Sequence, residues 1–476
     1  MIETLVSLPA SFWVVVATLA VSALWARDKI RSGIGVPMLA VLGTIAVWYV
    51  TDLFYNGYEH YTKTFSPETL SDAWWQVALF LTFFSIAAPF VHQLLNARDI
   101  QTPSAVLRMW RTGVDEAVLQ QQLKSLLRAC MWAWSTLAVI AAVRLGPEIP
   151  FYFFPFLSHR ADPWARGQLG SGFDSLISVA DYLGLFLAAC FGILAALLKN
   201  PRARQFAILG CAVTWPYFIF DRVRNAMLAA ILPGILAWAI LRVRGWWVKK
   251  AALLAGIFLL VNLWFGFVIA NRDGDLSIVE IFQEKGLDVE NDSHVHHEGL
   301  NMFEELCWIN SLINTGNYQP NWGESYRDEL LSPIPRVLWP GKPMVGFDYA
   351  IARGQSRVGD AGAVSATIAT GMIGQGVVAF GQLLGPPFAA LLMGIWVAIL
   401  ARLDLRGKSP ELYGLGLILT FNLGRDISMI TLDSLLFGAL TLWAIKRAKR
   451  EKDEPNPLEA IIAGRRDPKF ERQRNS

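Results

Sequence analysis

No Asp, Glu, Lys or Arg interrupts residues 74–95 or residues 384–400. At about 1.5 Å of rise per helical residue, such runs approach the ~30 Å hydrocarbon thickness of a bilayer. Lipid offers no hydrogen-bond partners, so a backbone that crosses it must satisfy its own N–H and C=O groups, which continuous apolar runs do as helices. The rest of the chain agrees. Hydrophobic residues make up 54% and charged residues only 17%, too little polar surface to cover a soluble globule of 476 residues. The expected class is an all-α polytopic integral membrane protein.

Along the chain, residues 9–26 form an apolar run preceding the first basic residues, Arg27, Lys29 and Arg31. The first five residues carry no positive charge, so this run reads as a retained helix with its N-terminus outside, not as a cleaved signal. Further spans are expected at 33–54, 74–95, 128–143, 180–198, 206–220, 226–241 and 251–270. Residues 96–124, with Arg98, Arg108, Arg111 and Lys124 among apolar residues, read as an amphipathic cytoplasmic helix, and Phe151–Phe156 as an interfacial segment. After a long loop, residues 363–380 are rich in small residues and join a clear span at 384–400 almost directly. Two full spans there would place the basic tail after Lys446 outside, so 363–380 is read as a re-entrant or half-buried helix pair packed in protein. Spans at 413–423 and 427–445 bring the total to about eleven, with the C-terminus inside.

The expected organisation is therefore eight transmembrane helices in 1–270, a long external loop plus the re-entrant segment in 271–380, three further helices in 381–445, and a basic cytoplasmic tail in 446–476. Membrane orientation accounts for the net charge of +3, and no nucleic-acid partner is implied. Cys130, Cys190 and Cys211 fall in apolar runs and Cys307 in the loop, which gives neither a disulfide framework nor a metal-ligand spacing.

Charge divides the long loop. Residues 272–305 hold ten acidic residues against Arg272 and Lys285, whereas 327–357 holds five basic ones, Arg327, Arg336, Lys342, Arg353 and Arg357. His294, His296, His297 and Glu298 lack any metal-binding spacing, and no metal site is expected. Asn301 followed by Glu304 resembles a capping box that opens an amphipathic helix to about Asn314, with Gly316 as its stop. Beyond it, Ile334-Pro335-Arg336-Val337-Leu338-Trp339-Pro340-Gly341-Lys342-Pro343 is a proline-stiffened loop that can be neither helix nor strand interior, yet it carries Arg, Lys and Trp. Two charged turns at the outer ends of spans add Asp221, Arg222, Arg224, Arg425 and Asp426. An Arg at a membrane edge is costly unless paired or facing water. Converging on one external cavity, these guanidinium groups would suit diphosphate oxygens, while local pairing of Arg222 with Asp221 and of Arg425 with Asp426 is the structural alternative.

The Pro335-Arg336…Trp339-Pro340-x-Lys342-Pro343 stretch, the Gly/Ser/Thr-rich segment 364–376 and the Arg in the final outer turn together resemble the O-antigen polymerase (Wzy), or oligosaccharide repeat unit polymerase, family over roughly residues 220–433. The resemblance implies a GT-C-like enzyme of the bacterial inner membrane, with a periplasmic N-terminus and long loop. It would be a metal-independent, inverting glycosyltransferase that needs no cofactor. Its donor and acceptor would be undecaprenyl-diphosphate-linked oligosaccharides met at the membrane lipid, and a chain-length regulator could be a partner. In that reading Arg222, Arg336, Arg425 and Asp426 carry the chemistry. Arg224, Tyr326, Lys342, Arg353, Arg357, Trp339 and His297 bind substrate. Asp426, Asp221, Glu304 and His297 are all candidates for the base, and Trp322, Tyr326, Trp339, Phe347 and Tyr349 for stacking on sugars. An O-antigen ligase would share the donor. A polysaccharide flippase should instead show repeated halves and charges within its spans, which this chain lacks.

The topology is open to a direct check. Reporter fusions after Asp288 and Glu471 should report outside and inside respectively, and a fusion after Asp404 should report inside. An outside report at Asp404 would make 363–380 a full span.

Overall fold

The computed structural model describes residues 8–50, 58–97, 116–155, 161–164, 174–220, 224–243, 302–331, 346–354, 369–406 and 410–427, with isolated residues within 248–264 and 334–343. All of the regular structure among them is helical. Helix α1 is Ala10–Asp28; α2 is Gly35–Ile45, prolonged by a π-helical turn, Ala46–Val50; α3 is Tyr58–Thr64; and α4 is Pro67–Asn96. Then come α5, Glu116–Leu145; α6, Ile149–Phe153; α7, Asp174–Leu197; α8, Pro201–Ile219; and α9, Arg224–Leu241. Three shorter helices follow, α10 at Met302–Asn314, α11 at Glu324–Leu331 and α12 at Phe347–Ala352. The long α13, Gly371–Arg406, and α14, Pro410–Leu423, close the described chain.

Local chemistry sets several of these boundaries. Ser66 accepts the Thr69 N–H at 3.2 Å, with Pro67 at the first helical position of α4, and Asn200 with Pro201 opens α8 in the same way. Where α7 ends, its carbonyls are met by the Arg242 guanidinium, which reaches Ala196 O at 2.7 Å and Leu198 O at 2.6 Å. The expected loop helix is present as α10. It stops where Gly316 takes φ 74° and Asn317 N–H returns to Leu312 O at 2.9 Å.

Five helices, Ala10–Asp28, Pro67–Asn96, Leu123–Phe153, Ala180–Leu197 and Gly371–Leu405, are long and apolar enough to cross a membrane. Gly35–Val50, Ala229–Ala239 and Leu412–Leu423 are apolar but shorter. Surface chemistry agrees with a membrane-embedded protein. On α4, Ile86, Phe90 and Leu94 stand more than three-fifths exposed at successive helical turns, while Gln76 and His92 of the same helix are buried.

Two packed bodies result. The first gathers α1, α2, α4, α10, α13 and α14 around Phe12, Met38, Trp48, Trp74, Phe84, Phe303 and Met393. The second gathers α5 to α9 around Leu137, Leu187, Phe191 and Tyr217. Tyr182 and Phe186 of α7 pack against both. Within the first body the loop helix α10 is bound to the bundle by amides. Gln76 and Asn310 exchange two hydrogen bonds, at 2.7 and 2.9 Å, and Gln382 donates to both Asn310 and Asn314. Phe303 stacks on Trp74 at 3.8 Å between centroids.

One sequence-based expectation changes here. Residues 116–124 belong to the same helix as the fourth span, so the amphipathic segment can extend no further than residue 115, and 98–115 lie outside the described residues. Of 363–380, the described part holds one short arm, Gly371–Phe380, which turns at Gly381 (φ 78°, ψ 177°) into the helix that continues to Arg406, and 363–368 lie outside the described residues. Every residue from Thr370 to Ala379 is buried, as a helix end at depth requires. The arm lies tight on its own continuation, because a Cβ on Gly376 would sit 2.3 Å from Gly385 O. Residues 251–270 and 427–445 are too sparsely described to bear on those spans.

Gly376→Val should therefore push the arm off α13 and lower stability by ~1–3 kcal/mol, as overpacking does. Gly414→Ala, where a Cβ meets nothing within 4 Å, should leave the melting temperature unchanged or raised. Thermal unfolding of the purified protein in detergent reads both.

Candidate functional site

The arm begins with N–H groups that have no partner in their own helix. Elements distant in sequence supply them. Thr370 N–H and its hydroxyl both donate to Asp426 Oδ1, at 3.1 and 3.2 Å; Met372 N–H reaches Gly424 O at 3.1 Å; and Ile373 N–H reaches the Tyr49 hydroxyl at 3.0 Å. Gln375 then grips the far side of the turn, accepting Ile427 N–H at 2.9 Å and donating to Ile427 O at 3.4 Å. The turn after α14 is thus fixed onto the start of α13 at five points, and Trp48 adds a bond to Phe421 O at 3.0 Å.

Asp426 is held by one oxygen only. Oδ2 makes no hydrogen bond among the described residues, and the neighbouring Arg425 is exposed. Burial raises the Asp426 carboxyl to about 6, outweighing the positive charge of Arg425 and the two Thr370 bonds, and the nearby Glu305 charge adds to the rise. Tyr326 approaches from α11, its ring packed on Phe380 and Phe388 at 6.2 and 5.2 Å. Its hydroxyl is buried without a hydrogen-bond partner among the described residues, and burial together with Asp426 and Tyr49 pushes its pKa up.

A second carboxylate, this one buried, lies near this group. Glu305 of α10 accepts the Tyr349 hydroxyl of α12 in a short hydrogen bond and lies 3.4 Å from Arg353 Nε. Burial raises the Glu305 carboxyl, and the Tyr349 bond and the Arg353 charge only partly offset the rise. The Arg353 guanidinium lies 3.9 Å over the Trp308 ring, also on α10. Beside them Glu304 faces His60 at 3.7 Å, and Tyr318 and Asn321 both donate to Asp348 Oδ2, at 2.8 and 3.1 Å.

Of the residues singled out in the sequence, Arg425, Asp426, Tyr326 and Arg353 therefore meet in one region, and Glu304 lies at its edge. Trp339 is described and 39% exposed, and Trp322 is exposed. Arg224 opens α9, but its side chain lies outside the described residues, as do Arg222, Asp221, His297, Arg336, Lys342 and Arg357. Tyr349 is fully buried and spends its hydroxyl on Glu305, so it offers no face to a sugar. The local pairing of Arg425 with Asp426 gives way to an Asp426 bonded to Thr370, with Arg425 acting at longer range. Sequence reasoning passed over Glu305, Thr370, Gln375 and Tyr49. Glu305 alone left a trace, as an acid on the face of α10 that also buries Met302, Leu306 and Ile309.

Chemically, the arrangement offers one carboxylate with an oxygen that makes no hydrogen bond among the described residues, a neighbouring exposed guanidinium and a second cation stacked on an indole. No family model, curated protein or solved structure matches the chain. Geometry and sequence pattern thus carry the functional reading.

The raised Asp426 carboxyl has a signed consequence. Its folded value of about 6 exceeds the ordinary 3.8, so its contribution to stability is complete below about pH 4 and is lost as pH rises through 6. Asp426→Asn retains an acceptor for Thr370 and should flatten this decline, which for the wild type is on the order of 2 kcal/mol. Asp426→Ala removes the cap as well and should cost ~0.5–2 kcal/mol relative to Asn at every pH. Melting temperatures between pH 4 and 8 test both.

Proposed function

We propose that this protein is a membrane-embedded glycosyltransferase that polymerises undecaprenyl-diphosphate-linked oligosaccharide repeat units at the periplasmic face of the bacterial inner membrane. The observation that carries the reading is Asp426, with Oδ1 anchored by the start of α13 and Oδ2 without a hydrogen bond among the described residues, beside an exposed Arg425. The resemblance of the Pro335–Pro343 stretch and of the final outer turn to the repeat-unit polymerases supplies the substrate class.

In this mechanism an acceptor sugar hydroxyl attacks the anomeric carbon of the donor from the face opposite the diphosphate. Its proton passes to Asp426 Oδ2 as the new C–O bond forms. The bond from the anomeric carbon to the diphosphate oxygen breaks with its electron pair, and undecaprenyl diphosphate leaves. Negative charge grows on that oxygen, where Arg425 stabilises it together with Arg336 and Arg222, to which the family resemblance gives the same role. Anchoring Oδ1 restrains Asp426 without using the oxygen that must take the proton, and a carboxyl near pH 6 is ionised at neutral pH yet basic enough to act. The product is a chain longer by one repeat, with inverted configuration at the new linkage.

Polymer formation by purified protein from a lipid-linked repeat unit tests the reading. Arg425→Ala and Arg336→Ala should each lower turnover about 10²–10³-fold with folded protein intact. Arg336→Lys, which keeps the charge but loses the planar fork, should also be impaired. Wild-type turnover should rise through about pH 6, and Asp426→Asn should remove that step. In cells lacking the protein, single lipid-linked repeats should persist without long polymer. Long polymer accumulating on the carrier lipid would mean ligation instead.

A further inference from the structure

The Arg353 guanidinium is incompletely engaged. Its Nε is buried without a hydrogen bond, 3.4 Å from Glu305 Oε1, and no side-chain hydrogen bond from Arg353 is seen among the described residues. One face lies on Trp308, and one-fifth of the side chain remains exposed. A guanidinium offers five donors and normally fills them with carboxylate or phosphate oxygens. Glu305 has a second partner besides Arg353, since it also accepts the Tyr349 hydroxyl.

We propose that Glu305 is an internal counter-anion, which neutralises Arg353 until the phosphate or diphosphate oxygens of an anionic ligand take its place. The inference deepens the reading of this region as a diphosphate-handling site and rests on it for the ligand class. Both partners in the present pair are nearly out of water, so removing either would leave a buried charge alone. A phosphate group can replace Glu305 because it brings charge and several acceptors to a fork held flat on the indole. Glu305 then loses its cation while Glu304, on the same helix, still opposes it with negative charge, Asp426, on the turn, feels the Glu305 charge in its turn, and Tyr349 supplies only a neutral hydroxyl. His60 pairs with Glu304, at 3.7 Å. Glu305 accordingly takes up a proton as the ligand binds. Arg353 would thus be screened from adventitious anions at high pH and opened by the ligand that its fork fits.

The test uses the full chain in nanodiscs of zwitterionic lipid, with farnesyl diphosphate and inorganic pyrophosphate as separate probes and calorimetry in buffers of different ionisation enthalpy. Wild-type binding should be accompanied by proton uptake and should strengthen as pH falls. Glu305→Gln, which keeps an acceptor for Tyr349, should bind on the order of tenfold more tightly at neutral pH and lose the uptake beyond the probe's own. Arg353→Ala should lose binding, and Arg353→Lys should weaken it while preserving the charge and the fold. Binding of the farnesyl ester alone identifies a lipid-borne diphosphate as the ligand, and binding of both probes a diphosphate from either source. Wild-type affinity and uptake in Glu305→Gln, undiminished binding in Arg353→Ala, or binding of neither probe to the wild type would overturn the proposal. These readings need no polymer formation. A protein that binds as expected but does not polymerise would overturn the transferase reading alone, whereas one that polymerises without any dependence of binding on Glu305 would overturn only this inference.

Discussion

A helix that begins inside a protein must find partners for its first N–H groups, and in this structure that requirement organises the region around Asp426. The break at Gly381 turns one long apolar helix into an arm and a span, and the arm's start at Thr370 is shut away from solvent. Water cannot serve it. Tyr49 does so from the π-helical turn that prolongs α2, and Asp426 and Gly424 from the turn that follows α14, which the same bonds hold in place. A cap and a chemically available carboxylate are here two oxygens of one side chain. The positive end of the helix favours an ionised cap, but desolvation is the larger effect and leaves the carboxyl near 6, where it can exchange a proton.

Rigidity elsewhere serves the same region. Helix α10 follows a long loop in the sequence, yet it is bound to α4 and α13 by a closed set of amides and by the Trp74–Phe303 stack. Buried amides stabilise a single arrangement when all are satisfied, because any displacement leaves a polar group unpaired. Glu305 and Trp308 are therefore presented from a fixed helix, and Arg353 is brought to them by the short α12. Charged groups drawn from separate segments come to lie together, where low polarity strengthens every charge that remains unpaired.

Much of this architecture is legible in the residues. Uninterrupted apolar runs fix helices because lipid leaves the backbone no other means of bonding, and α4, α7, α8, α9, α13 and α14 lie where those runs lie. Local chemistry is equally readable, as in the Gly316 stop of α10. Asp426 and Arg425 stand out because charge at the end of an apolar span is costly and so needs a reason. The sequence by itself thus determined the class, the helices and which exposed turns deserve suspicion.

Tertiary structure alone decided the rest. Whether Glu304 or Glu305 enters the core depends on how α10 rotates against its neighbours, and two adjacent acids look alike until that packing is set. Thr370, Gln375 and Tyr49 are ordinary residues in apolar surroundings. They matter because a chain break at one glycine places a helix start against a turn more than fifty residues away and a tyrosine more than three hundred away. Hydrogen bonds between distant segments leave no periodicity in a sequence, since their spacing is set by how helices pack and not by the rise of any one of them.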